Sequence, residues 1–281
     1  MSIGKIKLGI VGHGFVGSAV ANGFNTDTVD IIVVDPAKFP TTLEQLLNEN
    51  PDFIFVCVPT PENDDGSVNV STVDLVLSGI EQGSYKGITV IKSTITPDHL
   101  TRFKKQYSLN MVYNPEFLTE ANSFNDFINP QMQVLGGKWR DCDKVEKAYV
   151  RHSKVKTVPT YKVDLITASL IKYTINSWLA TKVVFFNELH ALHKESGAMS
   201  SWEQFIEILQ GDVRVGKSHM QVPGPDGQFG FGGHCFPKDT KGLLNYSLKK
   251  NVSLTLLDNA VKENVHIRKN KKHRTRSNHI L

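Results

Sequence analysis

The chain has 281 residues, 40% of them hydrophobic and 21% charged, which suits two globular domains or one large domain with an appendage. Its formal charge of +4 comes from the last sixteen residues, "HIRKNKKHRTRSNHIL", which hold six Lys or Arg and no acid; the remainder carries 26 basic against 28 acidic residues. That balance argues against a nucleic-acid-binding body, and the basic tail (266–281) is expected to be solvated. No apolar run has bilayer length, so no membrane partner is expected, and "MSIGKIKLGIVGHG" is too short and glycine-interrupted for a secretion signal. Three widely spaced cysteines, Cys57, Cys142 and Cys235, make neither a disulfide framework nor a metal site, which fits a reducing, cytoplasmic setting.

"IKLGIV" (6–11) is a short apolar strand that leads into "GHGFVG", and "SAVANGF" continues as a helix. "DIIVVD" (30–35) is a second strand ending in an acid. This is the order of a dinucleotide-binding unit. Gly12 permits the tight turn, Gly14 lets a pyrophosphate approach the helix N-terminus, and Gly17 brings helix and strand together. Asp35 is placed to accept hydrogen bonds from ribose hydroxyls, which favours NAD over NADP. Further strands are expected at "DFIFVCV" (52–58), "GITVIKST" (87–94), "NMVYN" (110–114) and "QMQVLGG" (131–137), with helical patterns between them. Alternation of this kind predicts a doubly wound parallel sheet of Rossmann type over residues 1–160. Ligands sit at the C-terminal strand ends of such sheets, where "VPTPENDDGSVN", "STITP" and "NPEFLTEAN" fall. Cys57, in an apolar strand, and Cys142, after a Trp-Arg-Asp turn, read as structural.

An all-helical central domain is expected over 161–265. Residues 163–197 read as one long helix with apolar residues around much of its circumference, so burial on several sides is expected. Lys172 and Asn176, four residues apart, share a face there; so apolar a segment forces the lysine either to snorkel or to find a partner. "SWEQFIEILQ" reads as a shorter helix, followed by "GDVRVGKSHM" and the loop "GQFGFGGHCFPKD" (227–239). Glycines clear space around Cys235, which is expected just before a helix N-terminus, a position that makes a thiol nucleophilic. A covalent carbonyl–sulfur adduct beside a nicotinamide is the chemistry that uses this arrangement.

The motifs "GHGFVG", "VPTPENDDGS", "IKSTITP", "YNPEFLTEANSFNDFINPQMQVLGG", "LIKYTINSWLATKVVFFNEL", "DVRVG" and "FGFGGHCFPKDTKGLL" follow one another between Gly9 and about Leu257. In this order they resemble the UDP-glucose/GDP-mannose dehydrogenases. The resemblance implies oxidation of a sugar-nucleotide C6 alcohol to a carboxylate in two hydride transfers to NAD. Cys235 would form a thiohemiacetal and then a thioester, Lys172 and Asn176 would stabilise charge on the C6 oxygen, and Asp239 with Thr94 and a water would relay the alcohol proton. Glu116 would activate the hydrolytic water. The cofactor site would add Phe15, Val16, Pro59, Thr60, Ser93, Thr94 and Lys238 to Gly12, Gly14, Gly17 and Asp35. Phe117, Leu118 and Glu120 would cradle substrate beside Glu116, Phe231 and Gly232 would line its pocket, and Arg214 would reach substrate phosphate from a neighbouring subunit.

Members of this family usually continue into a further domain that closes over the nucleotide, whereas this sequence stops after "TLLDNAVKENVHIRKN" and the basic tail. "LIKYTINSWLATK" is more similar to the glucose enzymes than to those for GDP-mannose or N-acetylmannosamine, which favours UDP-glucose. A homodimer through the long helix is expected, since a helix so apolar needs covering. Two other readings remain open. One is a two-electron hydroxyacid dehydrogenase of the 6-phosphogluconate type, which has a Lys-x-x-x-Asn pair but lacks the thiol loop. The other is a non-catalytic NAD-binding dimeric module.

Overall fold

A computed structural model describes residues 4–119 and 122–269. Two compact units emerge, one of Met1–Asn63 with Val68–Lys172, the other of Asp64–Ser67 with Tyr173–Leu281.

The first unit is built on strands β1 (Ile6–Val11), β2 (Val29–Val34), β3 (Phe53–Val56), β4 (Ile88–Ile91), β5 (Asn110–Tyr113), β6 (Gln133–Gly137) and β7 (Thr160–Val163), in the order β2-β1-β3-β4-β5-β6-β7. Its helices are α1 (Phe15–Phe24), α2 (Leu43–Asn48), α3 (Ser71–Gln82), α4 (Pro97–Gln106), α5 (Ser123–Ile128) and α6 (Trp139–His152). Central strands β3, "FIFV", and β4, "ITVI", are buried at every residue, as strands covered on both faces must be. Leu8, Ile10, Phe24, Phe55, Val90, Val112 and Tyr149 belong to one apolar core.

All neighbouring pairs run parallel except β5–β6, which is antiparallel. The sheet also includes β7, which lay outside the expected strands. Cys142 does not follow a turn but sits inside amphipathic α6, fully buried, and burial pushes its thiol up to about 11.

The second unit is helical: α7 (Leu165–Glu195), whose first two turns count with the first unit, then α8 (Trp202–Leu209), α9 (Cys235–Lys249) and α10 (Thr255–Lys269). Two apolar clusters hold it together. Ala180, Val184, Phe231, Ala260 and Ile267 form one; Phe186, Trp202, Ile206, Met220 and Val222 form the other. Helix α7 is buried on several sides, at Ala168, Lys172, Tyr173, Ala180, Lys182 and Phe186 among others, yet keeps an exposed apolar stripe that includes Trp178, Phe185 and Leu192. The sequence could not separate this stripe from the buried faces, because both are apolar. Among the described residues no helix is long and apolar enough to cross a membrane, and no group of metal-ligating side chains occurs.

Candidate active site

In the first unit the glycine turn follows β1 and opens α1. Gly12 has φ +89°, and a Cβ there would stand 2.8 Å from the Cys57 carbonyl oxygen, so only glycine fits against the end of β3. A Cβ on Gly17 would run into the Gly12 carbonyl, so this residue sets how closely α1 folds back on the turn. Gly14, the N-cap of α1, differs: a Cβ there would meet nothing within 4 Å. Packing inside the protein does not require glycine at this position. The open space in front of this helix N-terminus fits a dinucleotide pyrophosphate. Phe15 and Val16 form the first turn and are half-buried.

Asp35 follows β2. Its Oδ2 accepts the His13 N–H at 2.7 Å and its Oδ1 accepts the Ala37 N–H at 3.1 Å, which holds the carboxylate over the glycine turn. This combination of open helix N-terminus and fixed acid fits NAD. Pro59 is exposed and Thr60 buried after β3, while Ser93 donates from Oγ to the Val58 carbonyl at 2.6 Å, tying the ends of β3 and β4 together. Thr94, next to it, is half-buried. Cys57 lies just past β3; burial pushes its thiol up to about 12 against the nearby Lys92 charge, in keeping with a structural role.

Glu116 and Lys172 form a buried ion pair in this unit. The ammonium stands 3.0 Å from Glu116 Oε1 and donates to the Glu116 carbonyl at 2.5 Å, and the side chains are 2% and 6% exposed for Lys172 and Glu116. Lys172 therefore does not snorkel. The Leu118 N–H donates to Glu116 Oε2 at 2.6 Å, and Lys172 Nζ lies 5.4 Å from the Phe117 ring centroid. Burial pushes the Glu116 carboxyl up, but the Lys172 charge, the Leu118 N–H and the Lys172 hydrogen bond outweigh it and hold the group below its ordinary value. Glu116 is thus held ionised, the form a general base needs. Glu120 lies outside the described residues.

The sequence reading missed what stands behind this pair. Lys92, 3% exposed, donates to Asn114 Oδ1 at 3.0 Å; Tyr149 donates to the same oxygen at 2.7 Å. Asn114 Nδ2 in turn donates to the Val134 carbonyl at 2.9 Å. The network braces the backbone two residues ahead of Glu116. Burial pushes Lys92 down to about 8. A lysine in the otherwise apolar "TVIK" was the available signal.

In the second unit Cys235 is half-buried and is the first residue of α9, rather than standing before it. Asp239, four residues on and so on the same face, is 1% exposed. Asn176 donates from Nδ2 to Asp239 Oδ2 at 2.6 Å, and Lys238 Nζ meets Asp239 Oδ1 at 2.7 Å. A buried carboxylate gripped on both oxygens thus stands one helical turn from a thiol. Phe231 lies in an apolar cluster with Ala180, Val184, Ala260 and Ile267, and Gly232 lies against Arg268. Arg214 is exposed and forks onto Asp212, with Nε at 3.0 Å and Nη2 at 2.5 Å.

Fold and site together define a dinucleotide-binding chain of the dehydrogenase class. Residues 37–153 match the NAD binding domain of the UDP-glucose/GDP-mannose dehydrogenase family and residues 166–266 match its central domain. The chain belongs to that family, and NAD is its cofactor. It is 33% identical over 238 residues to a UDP-glucose 6-dehydrogenase of Rickettsia conorii, covering 82% of this chain and 52% of the relative. A UDP-glucose 6-dehydrogenase of Rickettsia felis is 31% identical over 222 residues, 77% of this chain and 48% of the relative. The chain thus spans about half the length of these curated relatives. Among solved structures, a UDP-glucose dehydrogenase from Pyrobaculum islandicum superposes with a TM-score of 0.80 at 23% identity, covering 93% of this chain and 68% of that one. A 3-hydroxyisobutyrate dehydrogenase of Mycobacterium tuberculosis superposes with a TM-score of 0.72 at 13% identity, covering 95% of each chain. Both likenesses speak to the fold.

Proposed function

We propose that the chain is an NAD-dependent nucleotide-sugar 6-dehydrogenase that oxidises UDP-glucose to UDP-glucuronate. The observation that carries the reading is the set of buried polar pairs, Glu116–Lys172 and Asn176–Asp239, the second set one helical turn from Cys235. Ionised groups are costly to bury and none of these pairs is needed to close an apolar core.

NAD bound at the glycine turn would supply the hydride acceptor, one molecule for each of the two oxidations. Asp239 takes up the C6 hydroxyl proton as the first hydride leaves, and Lys172 and Asn176 stabilise negative charge on the oxygen. The Cys235 sulfur then bonds to the aldehyde carbon, giving a thiohemiacetal. Loss of a second hydride from that carbon to a second NAD, with the hydroxyl proton released, makes a thioester, and water activated by Glu116 cleaves the carbon–sulfur bond to give carboxylate, a proton and free thiol. Arg214 supplies a guanidinium for substrate phosphate from a neighbouring subunit, and the exposed stripe of α7 is the surface through which two copies pair.

The test is to add limiting UDP-glucose to the chain with excess NAD and count NADH per sugar. Two NADH per sugar are expected. A stable yield of one, retained in Cys235→Ser, would favour a two-electron dehydrogenase. Tight NAD binding with no turnover on any sugar nucleotide would favour a binding module.

A further inference from the structure

The loop that delivers Cys235 closes its beginning with its own hydrogen bonds, from the Gly224 N–H to the Gln228 carbonyl at 2.8 Å and from the Gly227 N–H to the Gly224 carbonyl at 2.9 Å, while the stretch from Gly230 leans on other elements. Gly227, Gly230 and Gly233 all have positive φ, at +72°, +74° and +72°, so the chain between them has unusually large freedom to lose on folding. From Gly230 on it is held by two helices of the second unit. Asn264 of α10 accepts the Phe231 N–H on Oδ1 at 2.7 Å and donates from Nδ2 to the Phe231 carbonyl at 3.0 Å. One amide side chain thus satisfies both polar groups of a buried backbone residue. Next to it, Asn187 of α7 accepts the Gly230 N–H at 2.9 Å. Arg268, one turn beyond Asn264, pairs with Asp226 at 2.8 Å and holds the loop's beginning.

The glycines make this approach possible. A Cβ on Gly230 would strike Asn264 and stand 3.1 Å from Ile267, and one on Gly232 would enter the Arg268 guanidinium. So these glycines are cleared for α10. Asparagine is a poor residue for a helix interior, yet Asn264 sits on the buried face of α10 with Leu257, Ala260 and Ile267. Its local cost is offset by the loop it holds.

We propose that Asn264, seconded by Asn187, is a positioning residue for the thiol loop, so that α10 serves the active site and does more than pack against it. The inference rests on the dehydrogenase reading for its effect on turnover, but not for the clamp itself. Phe231 is four residues from Cys235, so fixing its backbone fixes the short span from which α9 and its thiol start.

Hydrogen exchange on the full chain tests the clamp without turnover. In Asn264→Ala, residues 226–238 should exchange about tenfold or more faster than in the parent, because two buried hydrogen bonds are lost. Affinity for NAD should stay within about twofold, since the glycine turn before α1 is untouched, while kcat falls about tenfold or more. Leu257→Ala, a cavity in the same helix away from the loop, lowers the melting temperature but should leave loop exchange within about twofold. If Asn264→Ala does not fold, Asn264→Asp and Asn187→Ala are judged by the same criteria; Asn264→Asp keeps the acceptor for the Phe231 N–H and loses the donor. Unchanged loop exchange in a folded variant, or equal acceleration in Leu257→Ala, overturns the proposal. Absence of turnover in the parent would remove the dehydrogenase reading and leave the exchange result decisive for the clamp.

Discussion

Glu116 and Lys172 show how a buried pair can be necessary without being a source of net stability. Removing one partner strands the other's charge in the interior, at a typical cost of about 3–5 kcal/mol. The sign with pH then differs between parent and variant. In the parent the Glu116 pKa is lowered, so its contribution is present above the unfolded value of about 4.3 and is lost as pH falls through the lower folded value. In Lys172→Met the largest lowering influence is gone and burial pushes the carboxyl up. The folded state then binds the proton more tightly, and stability drops as pH rises above the unfolded value. Urea unfolding should therefore find Lys172→Met destabilised by roughly 3 kcal/mol or more at pH 7.5 and by much less at pH 5. An equal loss at both pH values would mean that packing, not charge, is what the lysine contributes. Lys92 shares the pH slope of the parent's Glu116 but destabilises: its pKa is lowered to about 8, so it weakens the fold below that pH and the cost is relieved as pH rises toward the unfolded value of about 10.4. Lys92→Met should accordingly gain stability at pH 7 relative to pH 9.5, provided the Asn114 network tolerates the change.

At the scale of elements, the turn between β1 and α1 separates two kinds of glycine. Gly17 is required by the fold, because a Cβ there collides with the Gly12 carbonyl; Gly14 has open space in front of it. Gly17→Ala should lose both stability and NAD binding. Gly14→Ala sits at φ −79° and ψ −152°, which alanine tolerates, so unfolding should shift by only about 1 kcal/mol while NAD binding weakens tenfold or more. Fluorescence titration with NAD and thermal melts of both variants check this; NAD binding unchanged in Gly14→Ala would place the pyrophosphate elsewhere. The nucleotide half was readable because its signals are local: an apolar run, a glycine spacing, an acid at a strand end. Strand β7, "TYKV", escaped notice because it is short and its side chains are only half-buried or exposed. The antiparallel turn of β6 has no local signature, since register and direction are decided by neighbours. The pairing of Lys172 was left open by the sequence, as an apolar helix face does not say what lies opposite. Asn264 went unseen for the same reason: its partner is a backbone thirty-three residues away in the chain.

For the molecule as a whole, the exposed side of α7 bears on assembly. Trp178, Phe185 and Leu192 are 61%, 57% and 64% exposed, and each follows the last by seven residues. Seven residues are about 20° short of two full turns, so the three fall on one stripe along the helix. Exposed aromatics grouped in this way are unusual for a free surface and resemble the anchors of an interface. On the proposal that a second copy covers them, light scattering at about ten micromolar should give a dimer. Trp178→Ala combined with Phe185→Ala should then shift the chain to monomer at the same concentration, because a central tryptophan alone commonly contributes about 2 kcal/mol, or roughly thirtyfold in dissociation constant. Trp139, 65% exposed on α6 of the first unit, is the control: Trp139→Ala removes as large an exposed ring and should leave the dimer intact. On the same proposal the pairing bears on catalysis. Arg214 is 86% exposed at its side chain and forks onto Asp212, and the proposal has it reach substrate phosphate in a second copy. If so, Arg214→Ala and the Trp178, Phe185 double variant should raise KM for UDP-glucose alike, with NAD affinity unchanged in both. A parent chain that is monomeric, yet whose KM still rises in Arg214→Ala, would put the guanidinium on substrate within one protomer and leave the α7 stripe without this function.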